Sequence, residues 1–244
     1  MILNSLISEI SYKKNPLLIL SSQFLISSYV YICNMIDRQT KELIDKGEML
    51  PLMEEFYTIQ GEGYHTGKAA YFIRIGGCDV GCHWCDVKES WNADLHPPTK
   101  AEIIVTNALK YANTVVITGG EPLMWKMDFL TRALQSNGIK THIETSGAYT
   151  LSGIWDWVCL SPKKIKLPLE EIYSKSNELK IIVYNKNDFK FAEDQAAKVS
   201  ENCELFLQPE WSNRVKMTPF IVDYVMNNPK WKISLQTHKY LNIP

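Results

Sequence analysis

The segment YFIRIGGCDVGCHWCD, residues 71–86, decides the fold. Its first half is a short aromatic and β-branched run, which fits a buried strand. Two glycines end the run, and Cys78, Cys82 and Cys85 follow at C-x3-C-x2-C spacing. Three thiolates on one short loop can reach a single inorganic centre, and their softness suits an iron–sulfur cluster or zinc. A closed zinc site needs four ligands, usually in two separated pairs. His83 is the nearest fourth donor, but it lies between two of the cysteines, so its ring would have to fold back on the loop. Three cysteines on a four-iron cluster leave one iron without a protein ligand, and a small molecule can bind there.

Outward from this segment, short β-branched runs alternate with amphipathic stretches. The runs are Ala70–Ile75, Thr114–Thr118, Lys140–Glu144, Trp157–Leu160, Leu179–Val183 and Leu205–Gln208. Helical patterns fall near Lys100–Ala112, Leu123–Asn137, Asp188–Ser200 and Thr218–Asn227. Such alternation predicts an α/β fold with a parallel sheet covered by helices. About six strands are too few for a closed eight-unit barrel, so a partial, open TIM-like barrel is expected. Ligands of such sheets bind at the carboxyl ends of the strands. Polar clusters fall at those ends: Thr118-Gly-Gly-Glu-Pro122, Ile143-Glu-Thr-Ser-Gly147, Ser161-Pro162-Lys163 and Gln208-Pro209-Glu210-Trp211. Random turns would scatter such clusters to both ends of the sheet.

The chain has 244 residues, 45% of them hydrophobic and 22% charged, which fits one folded catalytic domain and excludes wholesale disorder. With 26 Lys and Arg against 27 Asp and Glu, the net charge of −1 carries no bulk attraction for nucleic acid. Six cysteines are too few for a disulfide scaffold; Cys159 and Cys203, in or beside apolar runs, read as small buried hydrophobes. Residues 1–34 differ from the rest. Pro16 to Cys33 carry no charge and follow Lys13 and Lys14, a run shorter and more polar than a spanning helix wants. An anchor, a surface-packed extension and a segment outside the working protein are the three readings, and the last is preferred. Met35 then opens a polar segment, so residues 35–244 form the expected catalytic domain.

C-x3-C-x2-C after the first strand of an α/β barrel resembles the radical S-adenosylmethionine superfamily, whose core fold is the partial barrel. The segment Phe56-Tyr-Thr-Ile-Gln-Gly-Glu-Gly63, Arg74 and the terminal LQTHKYLNIP, residues 235–244, add a more specific likeness. Together they resemble the 7-carboxy-7-deazaguanine synthase family, from about Met53 to Pro244. The resemblance implies an enzyme of queuosine biosynthesis. It would convert 6-carboxy-5,6,7,8-tetrahydropterin to 7-carboxy-7-deazaguanine with loss of ammonia, after hydrogen abstraction by a 5′-deoxyadenosyl radical. It implies a [4Fe-4S] cluster on Cys78, Cys82 and Cys85, with S-adenosylmethionine on the open iron. Cofactor contacts are implied for Trp84, Cys85, Asp86, Gly120, Ser161, Pro162, Lys163, Gln208, Pro209, Glu210 and Trp211. Substrate contacts are implied for Ile59, Gln60, Gly61, Glu62, Arg74, Thr118 and Pro244. These residue types suit a pterin. Amides and Glu62 can meet its donor and acceptor edge, Arg74 offers a planar fork to its carboxylate, and a free carboxylate at Pro244 would be a pure acceptor.

One position departs from the pattern. The family commonly has Thr or Ser after the last Cys-Asp, where the hydroxyl helps bind Mg²⁺; here Val87 has no oxygen for a hard cation. Mg²⁺ is still implied; Asp86, Glu89, Ser90, a backbone carbonyl or the substrate carboxylate could stand in for the hydroxyl, and no protein ligand is assigned. The resemblance also implies a homodimer and an electron donor of flavodoxin or ferredoxin type. A reduced cluster implies the cytoplasm, with no membrane partner. Two other readings stand beside this one. A radical activase of a glycyl-radical enzyme would keep the cysteines and TGGEP without a pterin-shaped pocket. A zinc-binding interaction module would have no radical chemistry at all.

Overall fold

The structure is a computed structural model and describes residues 37–244; the readings made of residues 1–34 lie outside the described residues. Two compact units divide between Leu43 and Ile44, and the catalytic features all lie in the second. A helix, α1, covers residues 37–45. Among the described residues no helix is long and apolar enough to cross a membrane.

Each of the six runs expected to be strands is one. They are β2 (Ala69–Ile75), β4 (Thr114–Gly119), β5 (Lys140–Thr145), β6 (Trp157–Leu160), β7 (Glu178–Val183) and β8 (Glu204–Pro209). All pair in parallel, and a seventh parallel strand, β9 (Trp231–Ile233), follows. β1 (Met49–Ile59) runs antiparallel to β2 and to the short β3 (Pro98–Lys100). The sheet order is β3-β1-β2-β4-β5-β6-β7-β8-β9, with β3 and β9 as free edges, so the barrel is open. β1 escaped the period-two reading because its register slips between Leu52 and Glu54, which breaks the alternation. β3 and β9, at three residues each, are too short to show a period.

The main covering helices are α2 (Ala101–Ala108), α3 (Asp128–Ser136), α5 (Asn187–Ala196) and α6 (Arg214–Asn227). Short α4 (Glu170–Tyr173) and α7 (Thr237–Leu241) lie in the connections. Two starts differ from expectation. Pro122–Met124 form a 3₁₀ turn capped by Glu121, so α3 begins only at Asp128. Pro219 reads as a first-turn residue, yet α6 starts at Arg214 and carries the proline inside, at the cost of one backbone hydrogen bond.

Strand parity assigns the two faces. Tyr71, Ile73 and Ile75 of β2, with Val115, Ile117, Ile143, Leu179, Ile181 and Leu207, join the large core that the helices cover. Full burial of each such aliphatic side chain contributes roughly 1.5–3 kcal/mol. Ala70, Phe72 and Val116 form a smaller cluster on the opposite, concave face. That face also carries polar side chains, His142 and Glu144 on β5 and Glu178 and Lys180 on β7, among the apolar Cys159, Ile182 and Phe206. A one-residue slip of any strand would exchange these faces.

Candidate active site

A cavity of about 280 Å³ opens at the carboxyl ends of the parallel strands, and Cys78, Cys82 and Cys85 all line it. The loop that carries them is strapped at both ends. Gly77 N–H donates to Ser90 O and Cys78 N–H to Trp91 O, while Cys85 N–H closes a turn on Cys82 O. Gly77 and Gly81 take φ of 100° and 72°, a region L side chains avoid, which lets the loop bend twice within five residues. Burial pushes the Cys78 and Cys82 thiols up, a cost that a soft metal offsets by displacing the proton. Among the described residues no three His, Cys, Asp or Glu side chains converge on one metal ion. A single zinc would need sulfurs about 2.3 Å from one point, whereas a polynuclear cluster binds each thiolate to a different metal atom. His83 lies outside the cavity, exposed, with its ring edge-on to Tyr184 at 5.1 Å. The three thiols therefore fit an iron–sulfur cluster better than a zinc knuckle closed by His83.

The end of β4 is fastened to this loop. Gly120 N–H donates to Ile75 O and Glu121 N–H to Gly77 O, at 2.9 and 2.8 Å. A Cβ on Gly120 would meet Gly77 O at 2.3 Å. The two glycines thus permit contact with the cysteine loop itself as well as with a ligand. Glu121, 1% exposed, accepts from Leu123 N–H, Thr145 Oγ1, Ser146 N–H and Ser146 Oγ. One carboxylate so locks TGGEP to the end of β5.

The expected cofactor-contacting residues line the same cavity, with one exception. Trp84, Asp86, Gly120, Ser161, Lys163, Gln208, Pro209, Glu210 and Trp211 face it, but Pro162 is buried without lining it. Lys163 is no solvated surface lysine: its Nζ donates to Ser161 O and Oγ, both at 2.6 Å, and lies 5.6 Å from the Trp84 ring centre. Gln208 Oε1 is fixed by Ser234 Oγ at 2.6 Å. The Glu210 carboxylate accepts from Ser212 and Asn213 N–H ahead of α6, so it shapes that turn.

The expected substrate residues Ile59, Gln60, Gly61, Glu62, Arg74, Thr118 and Pro244 line the cavity as well. Glu54 accepts from Arg74 Nε at 2.7 Å, which leaves the terminal nitrogens of the fork free to meet an anion. The Gln60 amide is already engaged: it donates to Glu144 Oε1 and accepts from Glu62 N–H, both at 3.0 Å. Burial alone would raise the Glu62 carboxyl, but the Lys180 ammonium and the Gln236 amide outweigh it and hold the group at about 2. The tail docks here because Thr237 N–H and Oγ1 both donate to Gly61 O. A Cβ at Gly61 would strike the His238 ring, so the glycine is what admits the tail. Burial holds the His238 imidazole below its usual range.

Val87 lines the cavity with a side chain that has no oxygen, and the side-chain oxygens next to it, on Asp86 and Ser90, are already engaged. Ser90 Oγ donates to Val87 O at 2.6 Å, and Asp86 is paired with Lys239 at 2.6 Å. These donors do not fit a Mg²⁺ held by protein side chains. Sequence reasoning passed over Glu144, Lys180, Gln236 and His238 as individual site residues, although all four line the cavity. Their signal was parity: each polar side chain falls on the concave face or in the terminal segment.

Comparison with known proteins agrees with the site. Residues 72–182 match the Radical SAM superfamily. A 7-carboxy-7-deazaguanine synthase from Flavobacterium psychrophilum is 70% identical over 210 residues, covering 86% of this chain and all of that protein. The synthase of the same name from Synechocystis is 46% identical, covering 79% of this chain and 93% of that one. The crystal structure of QueE from Escherichia coli superposes with a TM-score of 0.70 at 30% identity, covering 79% of this chain and 96% of that one. The matched segment carries the three cysteines, and the fold is that of the radical S-adenosylmethionine enzymes. Within them, this chain belongs to the 7-carboxy-7-deazaguanine synthase family.

Proposed function

We propose that this chain converts 6-carboxy-5,6,7,8-tetrahydropterin to 7-carboxy-7-deazaguanine and ammonia, with the three thiolates and the polar wall on one cavity dividing the work. The observation that carries the reading is that cysteines, anion fork and carboxylate acceptors line a single cavity at the strand ends. Cys78, Cys82 and Cys85 hold the cluster. Cluster and S-adenosylmethionine, when bound, supply the radical that takes a hydrogen atom from the substrate. Trp84, Asp86, Gly120, Ser161, Lys163 and the Gln208–Trp211 segment hold the nucleotide. Arg74 meets the substrate carboxylate as a bidentate donor, and Thr118 lies beside it. Ile59, Gly61, Glu62 and Pro244 bound the ring, with Gln60 orienting Glu144. Mg²⁺ enters this reading only as a cation without a side-chain ligand at Val87. The docked tail narrows the mouth and excludes water from the radical.

Residues 35–244 are the catalytic part in this reading. An electron donor of flavodoxin or ferredoxin type supplies the reducing equivalent, the working form is a homodimer, and a reduced cluster needs a compartment such as the cytoplasm. The test is anaerobic reconstitution with iron and sulfide, then assay with S-adenosylmethionine, reductant and the carboxytetrahydropterin. The full chain and a chain starting at Met35 are expected to release the deazapurine and ammonia in equal amounts, without any added protein substrate. Absence of both products from enzyme with a full cluster contradicts the reading.

A further inference from the structure

Lys180 stands near the middle of β7, on the face turned to the cavity, with its side chain only 4% exposed. Its Nζ lies 2.5 Å from Glu62 Oε2 and 3.7 Å from Glu144 Oε1. Among the described residues these two carboxylates have no other ion-pair partner. Each is then oriented by an amide, Glu62 Oε1 by Gln236 at 2.9 Å and Glu144 Oε1 by Gln60 at 3.0 Å. One ammonium therefore ties together the loop after β1, the end of β5 and the C-terminal tail. A burial this deep is costly for a lysine and is stabilising only with close opposite charges. A surface lysine would have served the fold at no such cost, so the arrangement points to the cavity.

We propose that Lys180 is a positioning residue for this reaction: its buried ammonium fixes Glu62 and Glu144 as adjacent hydrogen-bond acceptors for the donor-rich edge of the pterin. The proposal rests on the reaction assigned above and adds a residue to it. Lys180 is no proton donor to the leaving ammonia, because two carboxylates already compete for its protons. The charged and titratable groups facing it are Glu62, Glu144 on β5, Cys159 on β6 and Glu178 on β7, with the Lys163 ammonium after β6 and His238 of the tail beyond Glu62. With Lys180 gone, burial of Glu62 is opposed only by the Gln236 amide and the weaker charge of His238. Its carboxyl then rises, and below that value it takes a proton and ceases to be a pure acceptor.

The experiment compares wild-type, Lys180→Met, Lys180→Gln and Lys180→Arg holoenzymes, each with its iron content measured. For Met and Gln, KM for the carboxytetrahydropterin at neutral pH is expected to rise about tenfold or more while kcat changes less than about threefold. The profile of kcat/KM in both should gain an acid limb with a midpoint between about pH 6 and 8 that the wild type lacks. Arg, which keeps the charge, should remove that limb. If Lys180→Met does not retain its cluster, the Gln and Arg variants are judged by the same criteria. A folded variant without the charge that keeps the wild-type KM and pH profile overturns the proposal, as does a loss confined to kcat. Wild-type enzyme that makes no deazapurine would instead defeat the reaction assignment, and this inference with it.

Discussion

His142 shows how the polar concave face makes stability depend on pH. Its ring lies 4.6 Å from that of His65 and 6.4 Å from Trp157. Burial first, then the His65 charge, lowers its pKa from 6.5 to about 4, with Asp156 acting in opposition. The unfolded chain takes this proton near 6.5 and the folded chain only near 4, so folding is favoured most above pH 6.5 and progressively less below it. Allowing for partial exposure, the loss on going to pH 5 is on the order of 1 kcal/mol, or about 3 °C in Tm. His142→Gln should therefore lose less Tm than the parent between about pH 7.5 and 5. Equal losses in scanning calorimetry would contradict this. The cysteines were legible at this same scale, because their chemistry is local, whereas Arg74 was singled out only through the family resemblance. Lys180 was not: its partner Glu62 is 118 residues away, and ELKIIV reads as a strand with an incidental lysine.

At the scale of elements, the join between the cysteine loop and β4 is the most sensitive. Gly120 has an ordinary φ, so adding a methyl there tests sterics alone, against Gly77 O at 2.3 Å and Cys78 Cβ at 2.8 Å. Gly120→Ala should cost about 1–3 kcal/mol, as overpacked sites do, and displace Cys78 from its partners. The measurable outcome is a Tm several degrees lower, with iron content after reconstitution falling below the parent's. Full iron loading at the parental Tm would show that the loop tolerates the push. The six parallel strands were legible because each is a short apolar run with a turn signal behind it. β1 was hidden by its register shift, and the start of α6 by a proline that sits inside the helix instead of at its head.

For the whole molecule, the open sheet explains how one cavity can hold both cofactor and substrate in the proposed reaction. Seven parallel strands present their carboxyl ends to one side, and the β1 hairpin and the tail close the gap that a full barrel would fill with further units. The placement of the site was therefore readable from strand order, whereas the inner polar wall needed the strands' parity and their pairing across the sheet. Glu144 meets Gln60 from 84 residues away, and no local pattern announces such a contact.

The central claim is that Cys78, Cys82 and Cys85 carry a four-iron cluster with one open corner. Electron paramagnetic resonance of the anaerobically reconstituted, one-electron-reduced protein tests it most directly. The account predicts about four irons per chain and a reduced-cluster signal that shifts when S-adenosylmethionine is added, with Cys82→Ala losing both. A colourless protein without that signal, or a signal that the nucleotide leaves untouched, would contradict it.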